Sequence, residues 1–150
     1  MLRIHRREFG SGLLVLWLTL PAGAADFSAG NMRVTEARSS PTPPVATVGA
    51  VYFSLTNTGP KSDRLTAITS AIASRVEIHE SRRVQGMIQM RALSYVECPA
   101  SATVKIEPGG MHIMLVGLTR PLSRGMQFPM SLSFRDSGIM NIMVIVSAQE

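Results

Sequence analysis

Cysteine is nearly missing from this sequence: 150 residues hold one, Cys98. Within a single chain that excludes a disulfide framework, a thiolate cluster for zinc or iron–sulfur, and a Cys-x-x-Cys redox pair. Aromatic residues are scarce at 5%, and the basic residues are dispersed rather than gathered in a stripe. Nucleic-acid binding, which wants a basic stripe with interleaved stacking side chains, is therefore not expected. Long Ala/Leu/Glu/Lys runs are also missing, which argues against a helical bundle. No Gly-x-Ser-x-Gly elbow occurs, and neither a Ser/His/Asp hydrolase nor a multi-histidine metalloenzyme is expected from so few histidines. The chain is expected not to be an enzyme.

The apolar run Leu13 to Leu20 is about 8 residues, well short of the roughly 20 that cross a bilayer. It follows a basic head of Arg3, His5, Arg6 and Arg7 and precedes Pro21-Ala22-Gly23-Ala24-Ala25, the pattern of a secretory leader. Residues 1–25 are thus expected to be a signal peptide cleaved after Ala24 or Ala25. Residues 26–150 would then be one exported, periplasmic domain without a permanent membrane anchor. Without the leader, 12 basic and 9 acidic side chains leave a net charge of +3, so part of the basicity belongs to the export signal.

What remains is rich in Val, Ile, Thr and Ser, punctuated by glycine and proline. Strands are expected over Met32 to Ala37, Ala46 to Thr56, Arg64 to Ser70, Arg75 to Glu80, Met87 to Tyr95, Thr103 to Ile106, Met111 to Leu118, Gln127 to Phe134 and Asn141 to Ser147. Turn chemistry such as Pro108-Gly109-Gly110 and Asp136-Ser137-Gly138 separates them. Strands at this spacing with no helical stretches between them predict an all-β fold, a Greek-key β-sandwich or barrel.

The same 125 residues hold two histidines, His79 and His112, against nine methionines. Taken singly, Met32, Met126, Met130, Met140 and Met143 read as core filler, because a flexible thioether fits irregular gaps. Cys98 reads as a buried small hydrophobe. In Met111-His112-Ile113-Met114-Leu115, alternation puts His112 and Met114 on one strand face; with the other face in the core, they point outward as a pair. Imidazole beside thioether is half of a soft-metal site.

His79, ten residues, Met90, twenty-one residues, His112, one residue and Met114 form a longer constellation. Given nine methionines, two prescribed positions are both Met by chance roughly once in 200 trials. With this spacing, and with Gly49-Ala50-Val51-Tyr52-Phe53-Ser54-Leu55-Thr56-Asn57-Thr58-Gly59, Asp63-Arg64-Leu65, His79-Glu80, Pro108-Gly109-Gly110, Gly117-Leu118 and Leu132-Ser133-Phe134, the sequence resembles the periplasmic copper chaperones of the PCuAC family over residues 49 to 146. The resemblance implies a cupredoxin-like β-sandwich that binds one Cu(I) through His79, Met90, His112 and Met114. It also implies that the ion passes on toward the copper centre of cytochrome c oxidase, with a Sco-type protein or the oxidase copper subunit as acceptor. A monomer is expected. Met87 and Met111 fall off the motif and are expected to be packing or rim residues. The chain ends in Ser147-Ala148-Gln149-Glu150, without the His- and Met-rich tail of some members, so a second copper site is not expected. The donor chemistry agrees: thioethers and imidazoles favour soft Cu(I), and thioethers cannot be lost to disulfides in an oxidising compartment. The alternative is an exported β-sandwich interaction module with no metal role; in either reading Arg82, Arg83 and Arg91 flank the candidate site as a patch that could dock an acidic face.

Overall fold

Alternation of apolar and polar side chains builds the strands. In β3 (Val48–Asn57), Val51, Phe53 and Leu55 are buried while Tyr52 and Ser54 between them are half-buried. A computed structural model describes residues 25–148 of the chain. The leader expected over residues 1–25 therefore lies, but for Ala25, outside the described residues, as do Gln149 and Glu150.

Before β3 come β1 (Phe27–Ala29) and β2 (Met32–Ser39); after it come β4 (Asp63–Thr69), β5 (Ala73–Val84), β6 (Met87–Leu93) and β7 (Val96–Cys98). The chain continues through β8 (Ala102–Ile106), β9 (Met111–Leu118), β10 (Gln127–Phe134) and β11 (Gly138–Val146). Their order in the sheet is β6-β5-β9-β3-β2-β11-β10-β4-β7, with β1 added to β2 and β8 to β3. Among the described residues only β11 and β2 pair in parallel. The sheet folds back on itself, since Ile78 of β5, Leu65 and Ile68 of β4 and Val96 of β7 join Val51, Phe53 and Leu55 in one core. The all-β expectation holds, and most of the expected strands are within two residues of the observed ones.

Two differences have a physical cause. The strands β1 and β7, of three residues each, are too short for alternation to reveal. β5 runs four residues past its expected end, because Ser81 to Val84 pair with β6 beyond the core, where neither face is apolar enough to show a period. Val84 pairs with Met87 across Gln85 and Gly86, which have φ of 49° and 81°. Positive φ at both central residues is the signature of a two-residue type I′ turn, which suits the twist of a hairpin. A second turn leads into β9: the Gly110 N–H donates to the Glu107 carbonyl at 3.2 Å, with Pro108 and then Gly109 at φ 81° between them. Proline followed by a left-handed glycine is the pattern of a type II turn.

Candidate metal centre

Three neighbouring strands, β6, β5 and β9, carry the four motif residues. In β5, Ile78 is buried in the core, so Glu77, His79 and Ser81 face the other way. In β9, Ile113 and Leu115 are fully buried, which puts His112 and Met114 on the opposite face, as alternation predicts. The registers then join these sets. His79 lies opposite His112, Glu77 opposite Met114, and Ser81 opposite Met90. All four motif residues thus share one sheet face. Met90 and Met114 flank the His79–His112 pair from opposite ends, at diagonal positions that long side chains span.

The two imidazoles are 5.8 Å apart between ring centroids and tilted by 55°. Each has one nitrogen committed to an oxygen that can only accept. His79 Nε2 lies 2.9 Å from Glu77 Oε2, and His112 Nδ1 lies 3.2 Å from the Gly110 carbonyl. Neutral rings therefore hold their protons at those nitrogens and keep lone pairs at His79 Nδ1 and His112 Nε2. His79 Nδ1 is buried and has no hydrogen-bond partner among the described residues. A buried, unsatisfied nitrogen is costly, and a metal bond would satisfy it. The site's own donors, imidazole and thioether, suit a soft monovalent ion. Among the described residues no group of three or more His, Cys, Asp or Glu side chains gathers to offer a harder alternative.

Glu77 is held in turn by Arg75, whose Nε donates to Oε1 at 3.1 Å. The His79 hydrogen bond, and after it Arg75, keep the Glu77 carboxyl below the ordinary carboxylate range against partial desolvation. In the sequence the signal for Glu77 is its two-residue spacing from His79, which places both on one strand face.

Exposure grades across the face. His112 is 8% exposed and the His79 side chain 16%, Met114 is half-buried, and Met90 is 54% exposed. The expectation that His112 and Met114 point outward as a pair thus needs correction: they lie on the expected face, but His112 is covered, the His79 ring being its direct cross-strand neighbour. Met111 and Met87 belong to the opposite face, paired with Glu80 and Val84. Met111 packs against the core while Met87 is exposed, the packing and rim positions expected. Met32, Met130 and Met140 are core residues and Met126 packs against them, but Met143 is exposed, because its position on β11 faces away from the core. Of the three arginines in the expected docking patch, Arg82 and Arg91 bind Glu80 at 2.9 and 2.8 Å on the face away from the histidines, whereas Arg83 pairs with Ile88 on the histidine side. Cys98 is buried, and burial pushes its thiol up to about 11, so at neutral pH it is an inert thiol.

A surface cavity of about 810 Å³ lies elsewhere, between Asn57, Lys61, Asp63 and Arg135. Its Asp63 carboxylate accepts the backbone N–H groups of Arg64, Asp136 and Ser137, and Asn57 spans the backbone of Gly59, Lys61 and Cys98. These polar groups hold turns together and leave little for a ligand.

The family model described as "Putative lipoprotein LpqE-like" matches residues 32–146. A protein of Leifsonia xyli subsp. xyli named "Putative lipoprotein Lxx21020" is 35% identical over 98 residues, 65% of this chain; the match spans 59% of that relative's own length. Among solved structures, the copper-bound PCuAC domain from PmoF2 superposes with a TM-score of 0.71 at 21% identity, over 83% of this chain and 99% of that one. The solution structure of CuI-DR1885 from Deinococcus radiodurans matches with a TM-score of 0.62 at 25% identity, over 85% of this chain and 83% of that one. The architecture is the cupredoxin-like β fold of PCuAC domains.

Proposed function

The chain belongs to the LpqE-like lipoprotein family, and on that premise we propose that it is an exported copper chaperone. It holds one Cu(I) through His79, Met90, His112 and Met114 and passes it to a thiol-bearing acceptor. The observation that carries this reading is the shared face of the four motif residues, with a buried lone pair at His79 Nδ1 that has no partner. The copper-bound PCuAC domain and CuI-DR1885 support the choice of ion. A Sco-type protein or the copper subunit of cytochrome c oxidase is the acceptor that the family resemblance implies.

The residues divide the work. Glu77 and the Gly110 carbonyl fix the two ring tautomers, so each ring keeps one lone pair for the cargo. His112, His79 and Met114 form a covered floor, and Met90 closes the set from the exposed strand β6. Two imidazoles and two thioethers add no negative charge, which favours Cu(I) over Cu(II) and suits transfer without redox turnover. Exchange begins at Met90, where an incoming thiolate reaches the ion while the floor still holds it. Because protons compete for the imidazole lone pairs, retention weakens as pH falls.

Cu(I) titration of the purified chain against a chelator tests the reading. One equivalent should bind, zinc should bind far more weakly, and His112→Ala and Met114→Ala should each lower the affinity while Cys98→Ala leaves it unchanged. Equal affinity for zinc, or a His112→Ala variant that binds as tightly as the parent, would leave the interaction-module alternative standing.

A further inference from the structure

We propose that Met90 is an oxidative modification site, at which a peroxide converts the thioether to the sulfoxide when the metal face is empty and is prevented from doing so when it is filled. The inference rests on the ligand reading above. Met90 is 54% exposed, on a strand that ends the sheet order, and its face neighbour Ile88 is 69% exposed, so the side chain is open to solvent. The other three motif side chains are covered or half-buried.

In the reaction the Met90 sulfur lone pair attacks one oxygen of hydrogen peroxide and the O–O bond breaks. Sulfur gains the oxygen and loses two electrons, and the departing hydroxide takes up the displaced proton as water. A thioether sulfur has two lone pairs, but a bound soft ion draws electron density from the sulfur and blocks the peroxide's approach, so oxidation and ligation compete at the same atom. The sulfoxide offers a hard oxygen where Cu(I) prefers a thioether sulfur. Oxidation thus weakens the site without dismantling the fold, since Met90 lies outside the core.

The chain contains its own controls. Met87, 63% exposed, sits on the opposite face and outside the motif, so it should oxidise whether or not metal is bound. Met32, Met130 and Met140 are at most 2% exposed and should not react in the folded chain.

The test exposes the apo chain and the chain loaded with Ag(I), a soft ion that does not cycle with peroxide, to hydrogen peroxide and maps oxygen addition by peptide mass spectrometry. Met87 and Met90 should both react in the apo chain, and Met87 but not Met90 in the loaded chain. In a Met87→Leu/Met143→Leu background, oxidation should lower Cu(I) affinity at least about tenfold, the smallest loss expected when even a supporting residue of a metal site is removed. Methionine sulfoxide reductase should restore it. Oxidation of Met90 at the same rate in both forms, or unchanged affinity after it, would overturn the inference. Met90→Leu, measured alongside, separates the two levels: parental Cu(I) affinity in that variant removes Met90 from the ligand set and overturns both, whereas weakened binding combined with metal-independent oxidation overturns this inference alone.

Discussion

At the scale of single residues, the orientation of His79 matters as much as its identity. An imidazole with a free choice of tautomer presents a lone pair at the metal face only part of the time. Glu77 removes that choice by accepting the Nε2–H at 2.9 Å, with Arg75 holding the other carboxylate oxygen. Glu77→Ala should therefore lower Cu(I) affinity by roughly 10- to 100-fold although Glu77 is not itself a ligand. Chelator competition gives the affinity, and nitrogen-15 NMR of the His79 ring should show the tautomers mixed in the variant. Glu77→Gln keeps an acceptor oxygen and should fall between the two. The opposite expectation applies to Cys98, whose thiol is buried and held protonated far above neutrality.

Elements position these residues through turns that demand particular backbone angles. Gly86 has φ 81° at the tip of the β5–β6 hairpin, and an added Cβ would meet nothing within 4 Å. Gly86→Ala therefore bears the backbone cost alone, about 1–2 kcal/mol. Gly117 in β9 has φ 70°, and both its N–H and that of Leu118 donate to the Thr47 carbonyl at 2.9 Å. There a Cβ would also run into the Ser74 hydroxyl. Gly117→Ala should be the more destabilising of the two by a further 1 kcal/mol or more, since overpacking adds to the backbone strain. Urea unfolding of both variants checks the order. The hairpin variant should in addition weaken Cu(I) binding more than its stability loss suggests, because it disturbs the strand that carries Met90.

For the whole molecule, one contact that ties distant parts together by charge is at Asp63. Burial alone would raise its carboxyl, but hydrogen bonds from the Ser137 hydroxyl and from the backbone of Arg64, Asp136 and Ser137 outweigh it and hold the group below the ordinary 3.8. One carboxylate thus fixes the start of β4 to the turn between β10 and β11. A depressed folded-state value stabilises the fold fully above the unfolded value and loses that contribution as pH falls through the folded one. Asp63→Asn turns an amide donor toward a backbone donor and should cost about 1–3 kcal/mol at pH 7. The gap between parent and variant should narrow below pH 3.8. Thermal or urea unfolding from pH 7 down to pH 3 measures it, and a gap that stays constant would assign the role of Asp63 to shape rather than charge.

Much of this was legible in the sequence because strands write their burial into alternation. Ile113 and Leu115 announce the core face of β9 and so assign His112 and Met114 to the other, and β9 begins and ends where its pattern does. The spacing of His79, Met90, His112 and Met114 singled out the candidate ligands before any geometry. Alternation is a local property, however, and could not say how exposed that face would be. His112 is buried beside the ring of another strand, and the register that aligns it with His79 is set by pairing across the sheet. The same holds for Ser81 to Val84, whose polar residues carry no period and become strand only through β6. Composition and spacing determined which atoms could meet a soft ion. Only the tertiary structure decided that the two imidazoles lie side by side and which of the four motif residues stands open to solvent, because both depend on pairing between strands far apart in the chain.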